Sequence, residues 1–425
     1  MNKNKLLLIT VVICAATLRI GYGWELYLWL DEVQSVLLFV QNGLSQMLRT
    51  YSQEVVADVH PPLYYILLTI WAYLFPSVLG MRMLSILFGL CAIVCIYLVG
   101  TEVGNEKIGF LSSICLTFSV PHIIYSVEIR MYSLTVLLAL LSVFSFLKWL
   151  PQKKFWWACL YVISTVLCLY TYHFLVFIIL VQHFYVFCFY IREKATLFTW
   201  ILIHLVLMIL YIPGILRLIK QLDFVSHDLW WLSPHILELP GFLLWLVCGP
   251  FWRGNIILQI LVATTWLAIF ALGWFNNRLS LKVKFFLLLW FCLSPLTIFF
   301  LSQKSPLFQP RYFLFVLPVF CIISAAGIDR VLDTKFRLSY LFSLILTGIL
   351  VIVIAFTTSN RLDMKSVLKC LENNWHPDEA VFHILDHGGA YETYLISRYY
   401  RPHHHNEWLV GDASKIMKEV SPVIK

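Results

Sequence analysis

An adjacent pair of carboxylates, Asp31-Glu32, follows the first apolar stretch of a chain that otherwise avoids charge. Asp58-Val59-His60-Pro61-Pro62-Leu63-Tyr64-Tyr65 comes next, so three carboxylates and a histidine share one segment between apolar spans. Ionised groups near hydrocarbon are expensive, and those that persist are functional candidates by default. A carboxylate suits the deprotonation of a hydroxyl nucleophile. Arg82, Arg130 and Arg311 supply the complementary charge, because a guanidinium fork matches a pair of phosphate oxygens. Glu128, Tyr132, His173 and Gln309 complete the set at the edges of later spans. Ser126-x-Glu128-x-Arg130-x-Tyr132 opens one span, and Gln309-Pro310-Arg311-Tyr312 opens another. Snorkelling to lipid headgroups would explain any single arginine equally well. Three arginines with several carboxylates on one face point instead to transfer of a group attached to a phosphate at a membrane surface.

Such residues need a scaffold, and the composition says which kind. Apolar and aromatic residues make up 60% of the chain, charged residues only 13%, and the mean hydropathy is +0.82. These values describe an all-α polytopic membrane protein. About 11 spans are predicted, at 5–22, 80–100, 107–123, 131–150, 155–172, 174–190, 198–216, 255–275, 285–302, 312–329 and 337–357. Roughly 17–21 mostly apolar residues are enough to cross a hydrocarbon core of about 30 Å. Lys3 and Lys5 ahead of Leu6 to Leu18 could also open a signal peptide, but no Ala-x-Ala-like cleavage site follows, so the segment reads as a retained span. Two apolar pieces, 63–75 and 240–250, fall short of the roughly 17 residues needed and are expected to be interfacial or re-entrant.

With that count, the basic connections Lys148–Lys154, Arg192–Lys194, Arg278–Lys284 and Arg330–Arg337 share the side of Lys3 and Lys5, as positive-inside requires. Segments 23–79, 124–130, 217–254 and 303–311 then face the opposite side, with Arg217 and Lys220 as exceptions. If 63–75 crossed, Glu128 and Asp31 would lie on opposite faces and no single site could form. The net charge of +8 belongs to residues flanking the spans and does not describe a nucleic-acid surface.

Residues 1–357 read as the transmembrane domain and 358–425 as a small extracytoplasmic α/β segment. Within that segment Val381–Leu385 is predicted as a strand and Gly388-Gly389 as a turn. His403-His404-His405 reads as solvated loop, since no neighbour stands at metal-ligand spacing. Ten of the eleven cysteines lie in apolar stretches, where they serve as small packing residues, and no CxxC pair or disulfide framework is present. Asp31, Glu32 and Asp58 are hard oxygen ligands that could hold a divalent cation, although the chemistry requires no cofactor.

The order of these pieces carries a resemblance. An Asp-Glu loop after the first span, His-Pro-Pro-Leu-Tyr-Tyr, Gly80-x-Arg82-x-x-Ser85, Ser126-x-Glu128-x-Arg130-x-Tyr132 and Pro310-Arg311-Tyr312 together resemble the glycosyltransferase family 39-like group. Those are multi-span GT-C-fold enzymes, similar to protein O-mannosyltransferases and to the aminoarabinose transferases that modify lipid A. The resemblance covers roughly residues 1–330. It implies a polyprenyl-phosphate sugar donor, inversion at the anomeric carbon, and an extracytoplasmic site on a multi-pass protein of the plasma membrane. By position, Asp31 matches the acid that activates the acceptor, with Glu32 beside it, and Arg82 matches an arginine linked to the donor phosphate. His60 and its prolines match the loop that shapes the site, and Arg130 and Arg311 fit further phosphate or pyranose contacts.

Where the O-mannosyltransferases carry a lysine after His-Pro-Pro-Leu, this chain has Tyr64 and Tyr65, so the acceptor stays open among glycan, lipid and protein. No DxD pair of the nucleotide-sugar kind is present, in keeping with a lipid-phosphate donor. A transporter or flippase of lipid-linked sugars is the competing class, but such proteins tend to show internal repeats and midplane Gly/Pro breaks, and none is evident. A polymerase or ligase of lipid-linked glycans would share the same substrate chemistry.

Overall fold

Long apolar runs separated by short polar connections fold as a succession of helices. In chain order they are α1 (Lys3–Gly23), α2 (Leu30–Ser35), α3 (Gly43–Gln53), α4 (Leu63–Leu74), α5 (Val78–Val103), α6 (Glu106–Phe118), α7 (Val120–Tyr125) and α8 (Tyr132–Gln152). There follow α9 (Phe155–Leu169), α10 (Val176–Tyr190), α11 (Lys194–Val225), α12 (Glu238–Cys248), α13 (Ile256–Gly273), α14 (Leu281–Leu301), α15 (Leu317–Leu332) and α16 (Arg337–Thr357). The computed structural model describes residues 3–24, 26, 28–40, 43–53, 60–225, 234–250, 256–304, 307–334, 337–357, 381–384 and 407–410. Each predicted span falls on helix. Among the described residues, seven helices are long and apolar enough to cross a membrane by length and composition. The stretch predicted as one span at 107–123 is divided at Ser119 into α6 and α7, whose second residue is Pro121.

The two short apolar pieces are helices that stop early. At 12 residues α4 is about 18 Å long at 1.5 Å per residue, too short to cross. It buries Tyr64, Tyr65, Leu68, Thr69 and Ala72 while leaving Ile70, Tyr73 and Leu74 exposed, the one-sided pattern of a helix lying against a bundle. The other piece is α12, of 11 residues.

Short connections force sequence neighbours to pack antiparallel, and α5 lies along both α6 and α8, α8 along α9, and α15 along α6 and α13. The turn from α5 to α6 is sealed by Asn105, whose side chain accepts the Ile108 N–H at 2.9 Å. At the same end of the bundle, Asp329 is fully buried and accepts Arg278 Nη1 at 2.6 Å, Lys107 Nζ at 2.8 Å and Asn276 Nδ2 at 3.1 Å. That network fastens α6, the α13–α14 connection and α15 to one another. Higher in the α13–α15 contact, Gly273 faces the Ile323 carbonyl and Gly327 faces the Ile269 carbonyl, and a Cβ on either glycine would land on backbone. The helices approach closely because both positions lack a side chain.

Far along the chain, β1 (Val381–Ile384) pairs in parallel with β2 (Glu407–Val410), with Val381 opposite Glu407. The strand predicted at Val381–Leu385 is therefore present over its first four residues. The predicted Gly388-Gly389 turn and His403–His405 lie outside the described residues.

Candidate active site

The end of the bundle opposite the Asp329 network gathers the residues singled out above. The Ile129 N–H donates to Glu32 Oε1 at 3.0 Å. Asp31, Glu32, Glu128 and Arg130 therefore stand on one face, as the reading of α4 as a non-crossing helix requires.

Asp31 and Glu32 occupy the first turn of the six-residue α2, and neighbouring residues on a helix point about 100° apart. They accordingly meet different partners. Glu32 turns inward, is fully buried, and accepts Arg82 Nε at 3.3 Å and Arg82 Nη2 at 3.2 Å. The Trp29 N–H adds a longer contact to Glu32 Oε2 at 3.4 Å. Arg82 is 1% exposed and also donates through Nη1 to the Gly23 carbonyl at 2.9 Å and the Leu26 carbonyl at 2.7 Å. Arg82, the residue expected at a donor phosphate, clamps the end of α1, the following loop and α2 onto α5. Glu32, expected beside the catalytic acid in a chemical role, is the carboxylate of that clamp.

Asp31 turns the other way. Its Oδ2 lies 3.1 Å from Arg311 Nη1, and both side chains keep access to the outside, at 15% and 17% exposed. Arg311 sits in the 3₁₀ turn Pro310–Val316 that opens into α15. Proline at the first position of that turn has its φ already set for helical geometry, and the Gln309 carbonyl accepts the Tyr312 N–H at 2.9 Å. The Arg311 guanidinium stands 5.1 Å from the Trp29 ring centroid and 5.6 Å from that of Tyr312, distances at which an aromatic face attracts a cation. Tyr132, at the first position of α8, is 2% exposed and within electrostatic reach of Arg311, Asp31 and Arg130.

Arg130 is tied to α2 through Ser35 Oγ at 3.2 Å and lies over the Tyr65 ring at 5.9 Å. Tyr64 hydrogen-bonds Ser85 at 2.8 Å, and burial pushes its phenol above the ordinary range, so it serves as a neutral hydrogen-bonding group. Glu128 is buried in the same segment. His60 is half-buried beside the Tyr172 ring, with centroids 5.4 Å apart. His173 Nδ1 is 3.3 Å from Tyr211 Oη, which joins the 3₁₀ turn ahead of α10 to α11. Gln309 contributes backbone to the turn carrying Arg311. Asp58 lies outside the described residues.

Arg19 and His122 are polar residues that the sequence reading passed over. Arg19 is fully buried within α1 and donates Nε to Ser126 Oγ at 2.9 Å, with Nη1 and Nη2 reaching the carbonyls of Ala15, Thr117 and Leu116. His122 Nδ1 is 2.7 Å from Arg19 Nη2, so this nitrogen acts as acceptor. The signal was available: a lone arginine inside a predicted span is itself a functional or structural flag.

Among the described residues no three His, Cys, Asp or Glu side chains come together as metal ligands. Of the three carboxylates that could hold a cation, Glu32 is engaged with Arg82 and Asp31 with Arg311, and Asp58 lies outside the described residues.

No known family profile matches the sequence, and no curated protein matches it either. Solved structures do match. The archaeal oligosaccharyltransferase AglB of Archaeoglobus fulgidus, in complex with an inhibitory peptide and a dolichol-phosphate, superposes with a TM-score of 0.57 at 13% identity over 96% of this chain. An oligosaccharyltransferase of Archaeoglobus fulgidus in complex with Zn and sulfate gives 0.57 at 14% identity, also over 96% of this chain. ArnT from Cupriavidus metallidurans bound to undecaprenyl phosphate gives 0.57 at 12% identity, covering 98% of this chain and 87% of that one. The chain spans 61% and 59% of the length of the two oligosaccharyltransferase structures. At such identities the likeness defines the fold. The protein is an all-α polytopic chain with the GT-C-like architecture that the sequence resemblance implied.

Proposed function

We propose that this protein is a membrane glycosyltransferase that moves a sugar from a polyprenyl-phosphate carrier to an acceptor hydroxyl, with inversion. The observation that carries this reading is the contact between Asp31 Oδ2 and Arg311 Nη1. It sets a base beside a phosphate-matching cation at the accessible end of a GT-C-like bundle. In the proposed reaction Asp31 takes the proton of the acceptor hydroxyl, and the resulting oxygen attacks the anomeric carbon. The bond from that carbon to the phosphate oxygen breaks, and the polyprenyl phosphate leaves with its charge met by Arg311. Electrostatic stabilisation of a leaving group by a preplaced cation is commonly a large contribution to catalysis. Arg130, Tyr132, His60 and His173 are assigned to substrate binding in this reading, and Glu32 with Arg82 holds α2 in place beneath Asp31.

Dolichol-phosphate and undecaprenyl phosphate in the matched structures support a lipid-phosphate donor. The gathering of acid–arginine pairs at one end of the bundle favours transfer over transport. Residues 1–357 would form the catalytic membrane domain and 358–425 a small segment on the same face as the site, which positive-inside assigns to the outside of the plasma membrane. The test is reconstitution in liposomes with a panel of polyprenyl-phosphate sugars and the matching nucleotide sugars, reading product by mass spectrometry. Turnover of a lipid-linked sugar that Asp31→Asn abolishes is expected. Activity on a nucleotide sugar without any lipid carrier would overturn the donor class.

A further inference from the structure

Three hydrogen-bond donors around the Asp31–Arg311 pair have no acceptor among the described residues. Arg311 Nε, Tyr132 Oη and Trp29 Nε1 are all shielded from solvent, and none meets a partner among the described residues. A buried donor left unmade costs roughly 1–3 kcal/mol, and native proteins hold such atoms singly and scattered, a few per 100 residues. Three around one guanidinium indicate a site that is completed by a ligand.

Their chemistry says what the ligand offers. Arg311 reaches Asp31 through Nη1, and its Nε meets no partner among the described residues, so that edge offers a preformed fork for two oxygens. Trp29 Nε1 can only donate, and Tyr132 Oη can donate and accept. A cationic fork with two neutral donors and one carboxylate, already neutralised by the same arginine, selects an acceptor-rich anion. Trp29 contributes with both parts of its ring system: its face stacks against the Arg311 guanidinium, at 5.1 Å from centroid to Cζ, and its edge carries the unmatched N–H. Cation–π contact holds the arginine without consuming any of its N–H groups.

We propose that Trp29 and Tyr132 bind the phosphate of the lipid carrier directly, as neutral donors beside Arg311. This rests on the transferase reading above, and extends it by adding Trp29 as a substrate-contacting residue and placing the phosphate on the Nε side of Arg311. Neutral donors have a use here. They hold a phosphate before and after its charge rises on departure of the sugar, without adding a second cation that would compete with Arg311 for Asp31.

The experiment is a titration of the full chain in nanodiscs with undecaprenyl phosphate and, in parallel, with undecaprenol, which lacks the phosphate. Trp29→Phe keeps the aromatic face and deletes the N–H, and Tyr132→Phe deletes only the hydroxyl. Each should weaken phosphate binding about tenfold, the size of one hydrogen bond to a charged acceptor, and leave undecaprenol unchanged. Wild-type phosphate affinity in Trp29→Phe would overturn the role of Trp29, and equal loss for both lipids would show a packing role only. A wild-type protein that does not distinguish phosphate from alcohol would overturn this inference and the donor class together. Should Trp29→Phe fail to fold, the indole N–H resonance of Trp29 in the wild-type protein, assigned with Trp29→Tyr, decides it. A downfield shift on adding the phosphate lipid is expected, and no shift would refute the contact.

Discussion

Glu32 and Arg82, 50 residues apart in sequence, meet through two N–H···O contacts of 3.2 and 3.3 Å with neither side chain more than 1% exposed. A buried pair of this kind is costly to assemble, and it is held here by additional hydrogen bonds from Ile129 N–H to the acid and from the base to two carbonyls. Its consequence is geometric. With Glu32 fixed inward, the residue before it has to project from the other side of α2, towards Arg311.

Breaking that pair should therefore damage the scaffold. Glu32→Gln or Arg82→Met leaves a buried group without its match, and losses of about 3–5 kcal/mol are typical. Thermal denaturation of the protein in detergent should show both variants destabilised. The double variant Glu32→Gln/Arg82→Met should lose less than the sum of the two single changes, because it leaves neither charge buried without a partner. Strict additivity would mean that the contact does not couple the two residues.

Asp31→Asn should behave differently, abolishing turnover while the protein folds and inserts normally. Its side chain is partly accessible and is paired with a single arginine, so its removal disturbs little structure. A general base contributes about 10²–10⁴ to rate, and kcat of the purified variant in liposomes should fall by that factor. Near-normal turnover would remove Asp31 from the role.

Arg311→Lys separates a phosphate fork from a simple surface cation. A lysine retains charge but cannot present two parallel N–H groups. Use of a polyprenyl-phosphate sugar should drop by about 10–100-fold, one to two strong hydrogen bonds, with thermal stability little changed. Full activity in the lysine variant would mean that Arg311 supplies charge alone.

Sidedness can be read with single cysteines in the cysteine-free background. Trp24 is 66% exposed at the end of α1, and Lys154 is exposed in the turn before α9. A membrane-impermeant maleimide applied outside should label Trp24→Cys and leave Lys154→Cys untouched. Labelling of both from the same side would invalidate the alternation of spans.

Gly327→Ala tests the tight α13–α15 contact. The added methyl would land on the Ile269 carbonyl, and backbone cannot swing aside as a side chain can. Overpacking at such a site costs about 1–3 kcal/mol, visible as a lower melting temperature. An unchanged melting temperature would show that the helices separate freely.

Much of this protein was written in local sequence. Apolar runs of crossing length, the short length of 63–75, and the alternation of basic connections were enough to place the helices and to bring Asp31 and Glu128 to one end, because each depends on hydropathy and counting alone. The same reading marked Asp31, Glu32, Arg82, Arg130 and Arg311 as the residues to watch. Their division of labour was not legible. Glu32 has no basic neighbour in sequence, and its partner Arg82 comes from another helix; Arg311 joins Asp31 from near the far end of the membrane domain. Which carboxylate turns inward depends on the angular step along α2 and on what α5 and the Ile129 N–H present to it, and neither is encoded in residue type or spacing. Trp29 shows the same limit: a tryptophan beside an acidic pair is unremarkable in a chain with 16 of them, until the fold stacks it on a guanidinium and leaves its N–H without an acceptor. Hydrophobic length determined the bundle, and tertiary packing alone decided which ionised groups are buried as structure and which remain accessible for chemistry.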